Sequence, residues 1–487
     1  MNEISNRALY WIDPKMQPLV LGALTLVSLA VFTIKIWTKL QVLLLAQPEN
    51  RFGNLGKRFR HMFWVAIAQA KLFKRTQAGW MHAIIFWGFC VLILRATQFF
   101  IIGFFPTVQF SNFGFLWSAY LLIKDFFIAL IFLAISFAFY RRIFLKPNRL
   151  TLSTEGLIIL GLIALILMSD IVFDAAFLSE NPQNLSWEIP LGTSLYTIFS
   201  ATLSKTTWII LHDFSYWVHI CAILIFLNIL PNSKHFHVIA SFPNVFFANI
   251  SKNGKPLNRI NFEDESRENF GVVHIQDFSW KKLLDFYTCT ECGRCDLVCP
   301  ALNSSKPLSP KDFTVDLRDH LNEMSSFLLN KNSKKIPTLA NNAISDETIW
   351  SCTTCGACEE ECPVEIEYVN KMIDLRRGLV LSEDRFPLEL RTAFKSLEIN
   401  KNPWGFGQNT RADWAEGLNV KLWDKNSPSE YLYFVGCNGS FDDRGKKIAT
   451  SVVKILQQAR IDFSILGSCE KCTGDPARRA GNEYLLI

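Results

Sequence analysis

The sequence predicts a mainly α-helical chain in three parts: a five-helix transmembrane bundle, a helical cysteine-rich module, and the start of an α/β domain. Three observations predict it. Five apolar stretches of bilayer-spanning length occupy the first half. Two four-cysteine runs of identical spacing follow, with helix-period segments between and after them. From Glu430 a strand, an amphipathic helix and a second strand succeed one another.

At 487 residues and 50% hydrophobic, the chain is long enough for three modules. The opening MNEISNRALYWIDPKMQ lacks the basic segment of a secretory leader, and the apolar run after it is too long for a leader core. The apolar stretches run about Leu19–Leu45, Trp80–Phe105, Trp117–Tyr140, Leu157–Phe177 and Trp208–Leu230. Arg51, Lys57, Arg58, Arg60, Lys71, Lys74 and Arg75 lie between the first two, and Arg141, Arg142, Lys146 and Arg149 between the third and fourth. The opposite loops hold only Lys205. The positive-inside rule then puts the N-terminus outside and everything after the fifth span in the cytoplasm, so the chain reads as a multi-pass inner-membrane protein. A net charge of +6 needs no nucleic acid to explain it.

Thirteen cysteines in a reducing compartment argue against disulfides. The first run is Cys289, Cys292, Cys295 and Cys299, then Pro300; the second is Cys352, Cys355, Cys358 and Cys362, then Pro363. This C-x2-C-x2-C-x3-C-P pattern is that of two-cluster ferredoxins, in which the fourth cysteine of each run ligates the other cluster. Hence Cys289, Cys292, Cys295 and Cys362 are expected on one [4Fe–4S] cube, and Cys352, Cys355, Cys358 and Cys299 on the second. Zinc is the competitor for C-x-x-C pairs, but it needs four ligands and not two matched sets of four. The segments SPKDFTVDLRDHLNEMSSFLLN and VEIEYVNKMIDLRRGLVL read as helices, so the module is expected to be helical.

Imidazoles inside a helix bundle are candidate axial ligands of haem. His82 opens the second span; His212 and His219 lie within the fifth, with His235 and His237 just past its inner end. The bland alternative for each is an interfacial side chain bonded to a carbonyl, and for His61, on an amphipathic segment, that is the preferred reading. Arg95, Lys124, Asp125, Asp170, Asp174, His212 and Asp213 come from four helices and all fall in the outer half of the bilayer. Buried charge in lipid is costly and usually functional. These residues read either as a polar pocket for a quinone head group or as charges pairing with one another near the outer headgroups. Arg95 is also placed to face a haem propionate.

From Glu430, YLYFVGC reads as a buried strand ending at Cys437, DRGKKIATSVVKILQQA as a helix, and IDFSILG as a second strand. The chain then reaches Cys469, Cys472, Thr473 and Gly474 and stops at Ile487, an ending that reads as mid-domain. No G-x-G-x-x-G or P-loop is present, so a flavin would come from a partner.

Several of these motifs resemble known families. His219, Pro231, Ser233, Lys234 and His237 resemble the last span of the nitrate reductase gamma subunit. That likeness implies an inner haem b on His82 and His237, with His219 and His235 as further candidates. The position of the outer partner is Leu92, so a second haem is left open. The cysteine spacing at Cys437 and Cys472 resembles the CCG domain of heterodisulfide reductase-like proteins, which implies a further iron–sulfur cluster there. Thr473 replaces the second cysteine of that motif, and Cys469 is a substitute ligand or a free thiol.

The whole order of motifs resembles membrane iron–sulfur oxidoreductases that join a nitrate-reductase-gamma-like domain to a domain like the D subunit of heterodisulfide reductase, of the electron-transfer-flavoprotein:menaquinone oxidoreductase type. The resemblance implies electrons passing from reduced electron-transfer flavoprotein, through clusters and haem, to menaquinone. It implies a haem b domain over 1–237, a linker 238–280, a two-cluster ferredoxin domain 281–395, a linker 396–429 and a partial CCG domain 430–487. Two other functions fit the same residues. One is a quinol-driven reductase of a heterodisulfide or sulfur compound. The other is an iron–sulfur membrane anchor for a flavin-dependent hydroxyacid or glycerol-phosphate dehydrogenase.

Overall fold

A computed structural model describes residues 16–179, 186–251, 257, 259–264, 269–330 and 336–486. The leader-free reading of the N-terminus therefore falls largely on residues outside those described. Five helices are long and apolar enough to cross a membrane. They are α1 (Gln17–Leu45), α3 (Thr76–Phe104), α4 (Phe115–Tyr140), α5 (Thr154–Leu178) and α7 (Lys205–Ile229). Two short helices sit between them: α2 (Leu55–Met62) in the loop after α1, and α6 (Pro190–Phe199) before α7. Ser204 caps α7 by accepting from Thr207 N at 3.2 Å. Most outward side chains on α1 are Leu, Val, Ile and Trp, which suits a lipid-facing surface.

After α7 the chain turns at Pro231, enters α8 (His237–Phe246) and reaches α9 (Trp280–Thr288). The segment 238–280, expected as a linker, thus contains a helix and part of another. Gln47, just past α1, bonds backbone to backbone with Phe278 and Trp280, at 3.2 and 3.1 Å. The cysteine module is helical as predicted, with Ser309 capping the helix Pro310–Leu329. Its core of Leu283, Phe286, Phe313, Leu317, Ile349 and Ile366 is continuous with Val42, Phe236 and Ala240 of the membrane part. One apolar core therefore joins the two.

The last part holds a three-stranded parallel sheet of order β1 (Lys421–Leu422), β3 (Phe463–Ile465), β2 (Tyr431–Tyr433). The helix Asp443–Gln458 makes the crossover from β2 to β3. Two local expectations fail. The first strand is exposed rather than buried, and Cys437 lies in the helix Gly436–Phe441 rather than at the strand's end. Gly436 at φ +74 breaks the strand, and Glu470 accepts from the Val435 and Gly436 amides at 2.9 and 2.8 Å. Cys362 closes the helix Ala357–Glu361, and the next helix begins at Val369.

Candidate metal centres

Both cysteine runs share one backbone design. Two residues after the first cysteine, Glu291 and Thr354 take left-handed φ values of 54° and 55°; four residues after it, Gly293 and Gly356 take 65° and 77°. These two kinks curl each loop so that its sulfurs face one side. Cys289, Cys292, Cys295 and Cys362 line one cavity, whereas Cys299, Cys352, Cys355 and Cys358 line another. The fourth cysteine of each run thus stands in the other run's cavity. Tyr368 lines both.

The donor sets fit iron–sulfur cubes. Among the described residues no three His, Cys, Asp or Glu side chains converge as they would on a lone ion; the sulfurs ring volumes instead. Burial pushes the Cys289 thiol up to about 12 and Cys362 to about 11, and drives Cys295, Cys352 and Cys358 upward too. Such thiols give up their protons only to a cationic core that takes the sulfur directly.

The first cavity faces the membrane part. Arg149, between α4 and α5, donates to the Cys292 carbonyl at 2.9 Å, and Arg294 donates to the carbonyls of Lys71 and Leu72, each at 3.0 Å. Lys71 pairs with Glu365 at 2.6 Å, and Arg51 with Glu367 at 2.8 Å. The second cavity faces the last module. Arg376 donates to the Cys352 carbonyl at 2.6 Å and to the Arg479 carbonyl at 2.9 Å, and Arg479 reaches the Thr354 carbonyl at 3.1 Å.

Beside the first cavity, the His82 and His237 rings lie with centroids 6.3 Å apart at 40°. An iron held between two imidazoles, at about 2 Å per bond and about 1 Å from nitrogen to ring centre, asks for about 6 Å. His237 Nδ1 lies 2.9 Å from the Lys234 carbonyl, which only accepts, so Nδ1 carries the proton and Nε2 keeps its lone pair. His82 Nδ1 is buried with no hydrogen-bond partner among the described residues. His235 is 6.1 Å from His237 by ring centroid, but Glu155 holds its Nδ1 at 3.2 Å. Burial, the neighbouring His237 and nearby cations push His235 down to about 3, so that contact is a neutral imidazole donating to a carboxylate. His219 stacks on Phe99 at 4.4 Å, its Nδ1 within reach of the Ile166 carbonyl and the Ser169 hydroxyl. No second histidine faces it in the manner of His82 and His237 among the described ring contacts; Leu92 packs on the α4–α5 side.

Five of the seven expected quinone-pocket residues close into one cage. Arg95 binds Asp170 at 2.6 Å and also Asp174; Lys124 binds Asp125, Asp170 and Asp174 at 2.9, 3.0 and 2.5 Å. Asp125 also accepts from the Leu191 amide of α6 at 2.8 Å. All five are at most 5% exposed. His212 stands apart, stacked on Phe173 at 4.3 Å, with Asp213 at 3.4 Å.

In the last module, Cys437 and Cys472 are neighbours, and both terminal nitrogens of Arg411 lie 3.5 Å from Cys437 Sγ. Arg411 is fully buried and paired with Glu470 at 2.6 Å. Cys469 is exposed. Sequence reasoning missed Arg411, Arg294, Arg149 and Tyr368 at these sites. Of these, Arg294 alone carries a signal in the sequence, because Cys292 and Cys295 flank it.

Two sulfur-ringed cavities seated on five membrane-length helices define a membrane-associated iron–sulfur oxidoreductase. The model of the 4Fe-4S dicluster domain matches residues 281–363. The chain is 35% identical to the probable iron-sulfur-binding oxidoreductase FadF of Bacillus subtilis, over 94% of this chain and 70% of that one. It is 34% identical to the EtfAB:quinone oxidoreductase of Syntrophomonas wolfei, over 94% and 69%. The D subunit of the dihydromethanophenazine:CoB–CoM heterodisulfide reductase of Methanosarcina acetivorans is 29% identical over 44% of this chain and 51% of its own. The chain belongs to the family of iron–sulfur oxidoreductases built like the heterodisulfide reductase D subunit. No solved structure matches it.

Proposed function

We propose that this protein carries electrons from a cytoplasmic flavoprotein to a quinone of the inner membrane. Cys289, Cys292, Cys295 and Cys362 would hold one [4Fe–4S] cluster, Cys299, Cys352, Cys355 and Cys358 the other, and His82 with His237 a haem b. Bound there, these groups supply single-electron transfer. The observation that carries the reading is the His82–His237 pair, with His82 within electrostatic reach of Arg294, which lines the first cysteine cavity. Arg149, Arg294 and Lys71 fix the cysteine module against that side. Tyr368 lines both cavities and so stands between the two sites.

The basic loops gripping the cysteine module are the ones the positive-inside rule places in the cytoplasm, so the N-terminus would lie outside. The charged cage would then fall in the outer half of the membrane, as would His212 and Asp213, which stand apart from it. There it would orient a quinone head group and supply its protons. Electron-transfer flavoprotein is the donor we favour, because a relative of 34% identity is named EtfAB:quinone oxidoreductase. Menaquinone is the acceptor that the family likeness implies.

The test is direct. Purified full-length protein should carry about eight iron and eight acid-labile sulfide atoms per chain from its ferredoxin module, and a haem b besides. Reduced electron-transfer flavoprotein should then reduce a menaquinone analogue. A colourless or zinc-only protein would overturn the reading.

A further inference from the structure

Tyr368 is 5% exposed and stands just before the helix Val369–Arg377, with its ring between the two sulfur-lined cavities. Its hydroxyl donates to Cys295 Sγ at 3.6 Å. The ring is boxed in by a fixed cation. Lys371 Nζ lies 5.7 Å from the Tyr368 centroid, tied to Asp285 and to the Glu367 carbonyl at 2.5 Å each. Other donors to the run sulfurs are backbone amides: Ile366 N to Cys362 and Thr354 N to Cys352, each at 3.4 Å. Among the described residues the phenol is the added side-chain donor, and it falls on the membrane-side set. The Asp296 carboxylate lies 3.8 Å from the same sulfur and opposes it, but Ser309 Oγ and Lys311 N donate to that carboxylate at 3.0 Å each.

We propose that Tyr368 ranks the two clusters: its hydrogen bond to Cys295 raises the reduction potential of the membrane-side cluster above that of its neighbour. The inference rests on the assignment of clusters to the two cavities. A reduced cluster carries one more negative charge than an oxidised one, and a hydroxyl donor on its thiolate favours the more negative form. With clusters bound, one electron would leave that held by Cys299, Cys352, Cys355 and Cys358, oxidising it, and would reduce that held by Cys289, Cys292, Cys295 and Cys362. No bond forms or breaks, and the phenolic proton stays on Tyr368. Electrons arriving from the cytoplasm thus run downhill towards the membrane and do not share evenly between two near-identical sites.

Redox titration followed by electron paramagnetic resonance, on purified full-length protein, tests it. In Tyr368→Phe one couple should become about tenfold harder to reduce, or about 59 mV lower for one electron, while the other stays put. Replacing Tyr368 by 3-fluorotyrosine, a stronger donor of the same shape, should move the same couple upward. Unchanged couples in Tyr368→Phe, or equal shifts of both, overturn the proposal. If Tyr368→Phe loses a cluster, the fluorotyrosine protein decides: without an upward shift there, the proposal falls. Absence of cluster signals from the unaltered protein would instead defeat the assignment on which it rests.

Discussion

The Arg149 guanidinium donates to the Cys292 carbonyl at 2.9 Å, so a loop between two membrane helices holds the turn of a cysteine run directly. The approach is close: a methyl on Gly293 would fall 2.1 Å from the Arg149 carbonyl oxygen, and Gly293 already takes φ +65°. Gly293→Ala should therefore cost well over about 1 kcal/mol and misplace the first run. Iron and acid-labile sulfide should fall by about half, whereas Arg149→Ala, which leaves the turn intact, should lower them less.

The crossed ligation has its own signature. Cys299→Ser should abolish the cluster of the Cys352, Cys355 and Cys358 loop and spare that of its own run; Cys362→Ser should do the reverse. Electron paramagnetic resonance of each reduced variant reads which signal survives. Loss of the signal belonging to each cysteine's own run would show uncrossed binding.

Haem content separates the histidines. His82→Ala and His237→Ala should each lose the haem b absorbance completely. His235→Gln should retain it, because Glu155 already occupies that ring. His219→Gln should retain it as well. Pyridine haemochrome assay of the four purified variants is sufficient.

Glu365 links docking to pH. Burial opposes its ionisation, but His61, with Nε2 3.3 Å away, and the charge of Lys71 outweigh this and hold the carboxyl down at about 2 from an ordinary 4.5. A depressed folded-state pKa contributes stability that is complete above about 4.5 and is lost as pH falls towards about 2. The shift corresponds to about 3 kcal/mol. Thermal unfolding in detergent should find Glu365→Gln less stable than the unaltered protein at pH 7, with the gap closing below pH 4.5.

The charged cage should behave as a unit. Lys124→Met leaves Asp170 and Asp174 short of a partner and should cost about 3–5 kcal/mol. Adding Asp174→Asn should recover part of that loss. Thermal unfolding of the single and double variants checks the coupling.

Much of this architecture is legible in the sequence. The first span is expected at Leu19–Leu45 and is found at Gln17–Leu45, because twenty-odd apolar residues admit little else. The left-handed turns in both runs fall where a repeated spacing puts them. What the sequence hides is contact across long separations. Tyr368 meets Cys295 from 73 positions away, and nothing in VEIEYVNKM marks that tyrosine as different from a core residue. Counting residues places the charges of four spans at one depth, yet counting does not say which of them touch. Five pair, while His212 turns to an aromatic ring. Near Cys437 a left-handed glycine and a distant glutamate decide the backbone, and strand propensity loses.

The cage has a consequence for biogenesis. The third, fourth and fifth helices of the chain each bring charges that only the others neutralise, so none is at ease alone among acyl chains. Insertion and helix pairing must then occur as one event, with α3 held in the translocation machinery until α5 has emerged to meet it.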